Sequence, residues 1–198
     1  MQQLTLFNNT ASNSLRRESN KRLPKNHRSA QTKNARFDLW NQEIEPEKEM
    51  ALFFLDIRDF TPLVERRQAF DVLHIVRKLF ATFQNIIRIH HGRIIETTGD
   101  GFYAAFGFDR DVKEAVNEAV TAGMAMLETL ENLNAQSFEK NLHQRIEVGI
   151  GVHVGKVATG NLHLGSKDHF VVMGYAVNVA SRLQTATKEL NNNFIVSS

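Results

Sequence analysis

Two carboxylates are the side chains best placed to do chemistry in this sequence. Asp56 closes the apolar run MALFFLDI, and Asp100 sits in the turn TTGDGF. Each stands where a sheet would present an acid at the end of a strand. A half-buried pair of acids on neighbouring strands is costly unless a cation lies between them. The pair therefore points to a divalent-metal site.

The elements that must position them follow from periodicity. Residues 50–55 are continuously apolar and rich in Phe and Leu, as in a central strand buried on both faces. Thr61-Pro62 opens a turn or a first helical position. From 70 to 90, Leu73, Val76, Leu79, Phe80, Phe83, Ile86 and Ile87 recur at three and four, an amphipathic helix ending at His90, His91 and Gly92. The histidines read as helix-end residues rather than metal ligands. Runs 93–98 and 102–106, joined by Gly99-Asp100-Gly101, predict a hairpin.

Asp111 and Glu114 then form a capping-box-like start to a second helix, striped by Ala115, Val116, Ala119, Val120, Met124, Leu127 and Leu130. Alternation from Ile146 to Val154 predicts a strand with distinct faces, which Gly155-Lys156 turns into a further run over 157–161. Strand 170–173, helix 176–190 and a strand opening over 193–196 complete the order. This β-α-β-β-α-β-β succession predicts an α+β fold, a ferredoxin-like βαββαβ sandwich with a mainly antiparallel sheet and helices on one face. In such a split arrangement the first strand lies beside the hairpin, so Asp56 and Asp100 meet near one edge.

Composition restricts the setting. The 198 residues include no cysteine, which removes disulfides and thiolate zinc sites and suits a reducing, cytoplasmic location. No apolar stretch approaches the roughly 20 residues of a membrane span, and no signal-peptide h-region opens the chain. The net charge of +2 conceals an uneven distribution. Residues 1–36 hold Arg16, Arg17, Lys21, Arg22, Lys25, Arg28, Lys33 and Arg36 against one acid, Glu18, and read as a basic disordered leader. Residues 37–49, with Phe37, Leu39 and Trp40, read as a short docking segment before a folded domain over 50–198. Such a leader can attract nucleic acid, but no aromatic stacking platform or nucleic-acid motif accompanies it.

Four strings now become specific: FFLDIRDFT, GRIIETTGDGFYAAF, VGIGVHVGKVATGNLHLG and VVMGYAVNVASRL. In order and spacing they resemble the catalytic domain of class III nucleotidyl cyclases, over about three quarters of the chain. Resemblance implies formation of cyclic AMP or cyclic GMP from a nucleoside triphosphate, with release of pyrophosphate. It places the metal ligands on Asp56, Asp100 and the carbonyl of Ile57, holding two Mg²⁺ or Mn²⁺. Such hard ions prefer oxygen donors. Backbone N–H groups of Phe60 and Thr61 would meet the phosphates. Asn178 and Arg182 match the family's transition-state pair and stand at i and i+4 on one helix face. In this family the aspartates of one protomer work with the Asn, Arg and base-reading residues of the other, which implies a head-to-tail homodimer.

Base choice falls on Glu96 and Val171. Glutamate at the first position is what guanylate-making members carry, and a carboxylate can accept from guanine N1–H and N2–H together. GTP is therefore the preferred substrate. Val171, at the second base-reading position, neither donates to guanine O6 nor accepts from adenine N6, which leaves an ATP-specific or unselective enzyme as the competitor. Asp59 stands where a glycine is common, beside the phosphate-binding backbone. The chain stops inside what resembles a late strand, so the catalytic domain reads as truncated and no phosphate-binding lysine can be assigned. A catalytically impaired dimerisation or regulatory module is the remaining alternative.

Overall fold

A computed structural model describes residues 46–164 and 167–198. The leader and most of the docking segment lie outside the described residues. The elements are β1 (Lys48–Ile57), α1 (Phe60–Arg66), α2 (Ala69–Ile89), β2 (Gly92–Thr98), β3 (Gly101–Phe106), α3 (Val112–Leu133), a π-helical turn (Asn134–Phe138), α4 (Glu139–Leu142), β4 (Val148–Leu164), β5 (Lys167–Met173), α5 (Tyr175–Glu189) and β6 (Phe194–Ser197).

The strands form one path, β2-β3-β1-β4-β5, with β6 beside β4. All the neighbours on that path are antiparallel, and β6 alone runs parallel to its partner. The β2-β3-β1-β4 portion is the antiparallel ferredoxin-like sandwich expected from the element order. Alternation along β1 divides its side chains between two cores. Ala51, Phe53, Leu55 and Ile57 join Val72, Ile75, Leu79, Phe83 and Ile87 of α2 and Ala115, Ala119 and Met126 of α3. Met50 and Leu52 face the other way, with Tyr103, Val157, Val172 and, from α5, Ala176 and Ala180. The two crossover helices thus cover one face, while α5, which follows the βαββαβ unit, covers the other.

Two helices are rotated relative to the stripes read from sequence. In α2 the buried line runs through Val72 and Ile75, and Leu73 is exposed. In α3 it runs through Ala122, Gly123 and Met126, and Met124 is exposed. Small residues carry the buried side of α3, because the helix lies close to the sheet. The Asp111 carboxylate does cap α3, accepting from the Glu114 N–H at 2.9 Å.

The expected turn at Gly155-Lys156 is absent. β4 continues without interruption from Val148 to Leu164 and stays paired with β1 as far as Lys48↔Val157. Gly155 serves a close approach instead: a Cβ there would lie 2.6 Å from the Ala176 Cβ. Gly151 has the same role on the same face, since its Cβ would fall 2.7 Å from the Ala180 carbonyl oxygen and 2.8 Å from the Gln184 Cα. The string VGIGVHVG thus buries valine and isoleucine on one side and offers a glycine bed to α5 on the other. Gly151→Ala is expected to destabilise the domain by about 1–3 kcal/mol, since backbone atoms cannot move aside as a flexible side chain can. A urea-unfolding midpoint unchanged from wild type would contradict this packing.

Candidate active site

The ends of β1 and β3 bring the two acids together. Asp56 pairs with Gly101 on β3 and with Gly149 on β4, so neither neighbouring strand places a side chain beside it. The Ile57 N–H donates to the Asp100 carbonyl at 3.0 Å and ties the hairpin turn to the end of β1. Gly99 has φ of 42°, in the left-handed region where glycine is favoured, and allows that turn to be tight. Gly101 makes room for the acid: a Cβ there would stand 3.0 Å from Asp56 Oδ1.

Electrostatics at this corner are unfavourable to a bare carboxylate. Burial, and then the charge of Asp100, push the Asp56 carboxyl above the usual carboxylate range. Lys188 and the Ile57 N–H pull it back in part. The Asp56 side chain is 27 % exposed, and its Oδ2 lies 3.8 Å from Lys188 Nζ. In an extended residue the N–H and C=O point to the same side, so the Ile57 carbonyl faces the Asp100 turn. The Asp56 and Asp100 carboxylates are close enough for each to feel the other's charge, and the backbone of Ile57 is tied to the same turn. Among the described residues no group of three or more His, Cys, Asp or Glu side chains converges. A donor set of two carboxylates and a carbonyl, completed by water and substrate oxygens, suits Mg²⁺ or Mn²⁺.

The turn after β1 leads directly into a short helix, α1. Asp59 precedes α1 with φ of 52° and ψ of 37°, and its side chain makes no capping hydrogen bond. That left-handed conformation explains why glycine suits the position, and aspartate is among the few other residues that tolerate it. Phe60 and Thr61 open α1, where first-turn N–H groups have no partner within the helix.

Glu96 reaches the face of Asp56 by a route the sequence reading missed. Pairing passes from Ile94↔Ala104 directly to Glu96↔Tyr103, a bulge that leaves Ile95 as the extra residue. Strict alternation would keep Glu96 with Ile94, on the side of α2 and α3. The bulge turns it to the side of Tyr103, Ile95 and α5. Tyr103 stacks on Phe54 with ring centroids 4.7 Å apart, and its hydroxyl donates to the Val172 carbonyl at 3.4 Å. Burial raises its pKa well above that of a free phenol, which keeps it a neutral donor. Val171 lies on β5 beside that carbonyl, on the opposite face of the β4–β5 hairpin from Phe170 and Val172, which pack in the second core.

Asn178 and Arg182 stand on the outer side of α5. Both are exposed, whereas Ala176, Ala180, Gln184 and Thr187 line the side against the sheet. Neither side chain forms a hydrogen bond or ion pair with another described residue, and the same holds for the Glu96 side chain. Lys188, which reaches Asp56, lies six residues beyond Arg182 and ten beyond Asn178. At about 1.5 Å of rise per residue, the two sit roughly 9 and 15 Å back along the helix. One chain therefore gathers Asp56, Asp100 and Ile57 at one place, and leaves Asn178 and Arg182 facing away from them.

Comparison with known proteins gives the family of the fold. The family model described as the adenylate and guanylate cyclase catalytic domain matches residues 42–194. Adenylate cyclase 1 of Rhizobium meliloti is 27 % identical over 158 residues, which cover 80 % of this chain and 23 % of that protein. The receptor-type guanylate cyclase gcy-7 of Caenorhabditis elegans is 30 % identical over 150 residues, covering 74 % of this chain and 13 % of the relative. The chain thus spans less than a quarter of the length of these two relatives. Among solved structures, the adenylyl cyclase CyaB from P. aeruginosa superposes with a TM-score of 0.68 at 27 % identity, covering 73 % of this chain and 74 % of that one. With the family model spanning the whole β1–α5 framework and a solved cyclase sharing its fold, the chain belongs to the adenylate and guanylate cyclase catalytic-domain family.

Proposed function

We infer that this domain forms a cyclic nucleotide from a nucleoside triphosphate, GTP in preference to ATP, at two equivalent sites in a head-to-tail homodimer. The division of the site carries the reading. Asp56, Asp100 and Ile57 lie at one end of the sheet, while exposed Asn178 and Arg182 face away on α5. A second copy, inverted, would complete each half with the other.

In that assembly Asp56, Asp100 and the Ile57 carbonyl hold two divalent ions. Bound there, such ions supply a lowered pKa at the ribose 3′-hydroxyl and neutralise the triphosphate. Phe60 and Thr61 donate backbone N–H groups to phosphate oxygens, with the Asp59 carboxylate as a nearby charge that weakens the binding. Asn178 of the second protomer holds the ribose so that its 3′-oxygen is in line with the α-phosphorus. Arg182 stabilises the charge that builds on the α-phosphoryl oxygens as the new P–O bond forms and pyrophosphate leaves.

Glu96 selects the base. On the α5 face of β2, with no protein partner among the described residues, its carboxylate is available to guanine N1–H and N2–H. Adenine would set its N1 lone pair against the same anion. Val171 adds no polar group, and this favours a second reading in which discrimination is loose and ATP is also used. Cyclic nucleotide formed from GTP and from ATP with Mn²⁺ separates the two. Glu96→Lys is expected to swing the GTP-to-ATP ratio of kcat/KM by about 10–100-fold towards ATP. A wild type that uses ATP alone would refute the role given to Glu96.

A further inference from the structure

The cation nearest Asp56 belongs to the chain itself. Lys188 stands on the last turn of α5 with its ammonium 3.8 Å from Asp56 Oδ2, and its side chain is half exposed. Arg58 fixes that turn at the end of β1: its Nη2 donates to the carbonyls of Thr187 and Asn192, each at 2.9 Å. Gly149, the β4 partner of Asp56, lets the turn descend, because a Cβ there would run into Thr187 Oγ1. The approach of Lys188 to Asp56 is thus set by three elements packed together. Asp100 is the acid across from it, and the Ile57 N–H faces the same carboxylate.

We propose that Lys188 is a built-in competitor for the divalent-metal site: its ammonium neutralises Asp56 while the site is empty and must be displaced when an ion binds. The inference rests on the reading of Asp56 and Asp100 as metal ligands. A unit charge about 4 Å from a ligand oxygen repels a divalent ion with roughly twice the energy of a singly charged one. Solvent screening at a half-exposed lysine reduces the effect to a moderate one. Lys188 therefore lowers the affinity for a free metal ion and makes occupancy depend on the extra negative charge that a triphosphate brings. Site loading then follows the metal–nucleotide complex more closely than free metal.

Binding of Mn²⁺ alone to the full chain, followed by electron paramagnetic resonance and by calorimetry, tests this without any turnover. Lys188→Met and Lys188→Gln are expected to bind Mn²⁺ about three- to tenfold more tightly than wild type. Lys188→Arg, which keeps the charge, should stay near wild type, and Asp56→Ala should lose the binding. If Asp56→Ala abolishes binding while both neutral Lys188 variants match or fall below wild type, the competitor role is wrong and the metal site stands. If Asp56→Ala binds as well as wild type, the metal-site reading fails and the competitor role falls with it.

Discussion

Asp56→Asn is expected to lower cyclic nucleotide formation by at least about 10³-fold, since losing one anionic ligand removes about 4 kcal/mol of charge stabilisation. Its stability should move the other way. Asp56 has a folded-state pKa raised above the ordinary carboxylate value, by burial and then by Asp100. A carboxylate of that kind opposes folding at pH above its folded-state pKa, and the penalty is relieved as the pH falls through that value. In metal-free buffer near neutrality, Asp56→Asn should therefore melt at or above the wild-type Tm. Mn²⁺ should raise the Tm of wild type and leave that of Asp56→Asn unmoved. Retained turnover in Asp56→Asn would contradict the proposed chemistry. A wild type with no turnover to lose would mark the chain as a cyclase-fold module of another function.

Arg182→Ala should lose about 10³-fold in kcat with little change in KM, because the interaction is made with charge that develops only in the transition state. Arg182 is exposed and has no ion pair among the described residues, so its loss should change stability by less than about 0.5 kcal/mol. A variant equally impaired in KM would point instead to ground-state binding of the phosphates. One that unfolds would place Arg182 in the framework.

The parts of this molecule legible in its sequence are those governed by local rules. The apolar run before Asp56 reads as a buried strand, the GDG turn as the closure of a hairpin, and Asp111 with Glu114 as the start of a helix. Together they were enough to order the split βαββαβ unit and to place Asp56 beside Asp100. What escaped the reading depends on neighbours far away in sequence. The bulge at Ile95 that turns Glu96 towards α5 is a matter of pairing with Tyr103, and periodicity on β2 alone argues for the wrong face. Gly155 read as a turn because its function, like that of Gly149 and Gly151, is to admit α5: the helix backbone at 151, and the side chains of Thr187 and Ala176 at 149 and 155.

The π-helical turn was missed for a similar reason. Its Asn134 is fully buried and clamps the entry to β4, donating to the Ile146 carbonyl at 2.8 Å and accepting from the Ile146 N–H at 2.9 Å. A single asparagine near a helix end does not announce a partner twelve residues away. Lys188 is another case: one lysine in the run TATKEL reads as a solvated helix end until Arg58 and Gly149 bring that end onto Asp56.

Division of one site between two chains is the proposal with the widest consequences, and mixing two inactive variants tests it directly. Asp56→Asn and Arg182→Ala, each purified and each inactive alone, are combined and allowed to exchange subunits. Random pairing makes half of the dimers mixed, and each mixed dimer has one intact site of its two. The mixture is predicted to recover about a quarter of wild-type cyclic nucleotide formation. A mixture that exchanges subunits yet stays as inactive as its components would contradict the divided site.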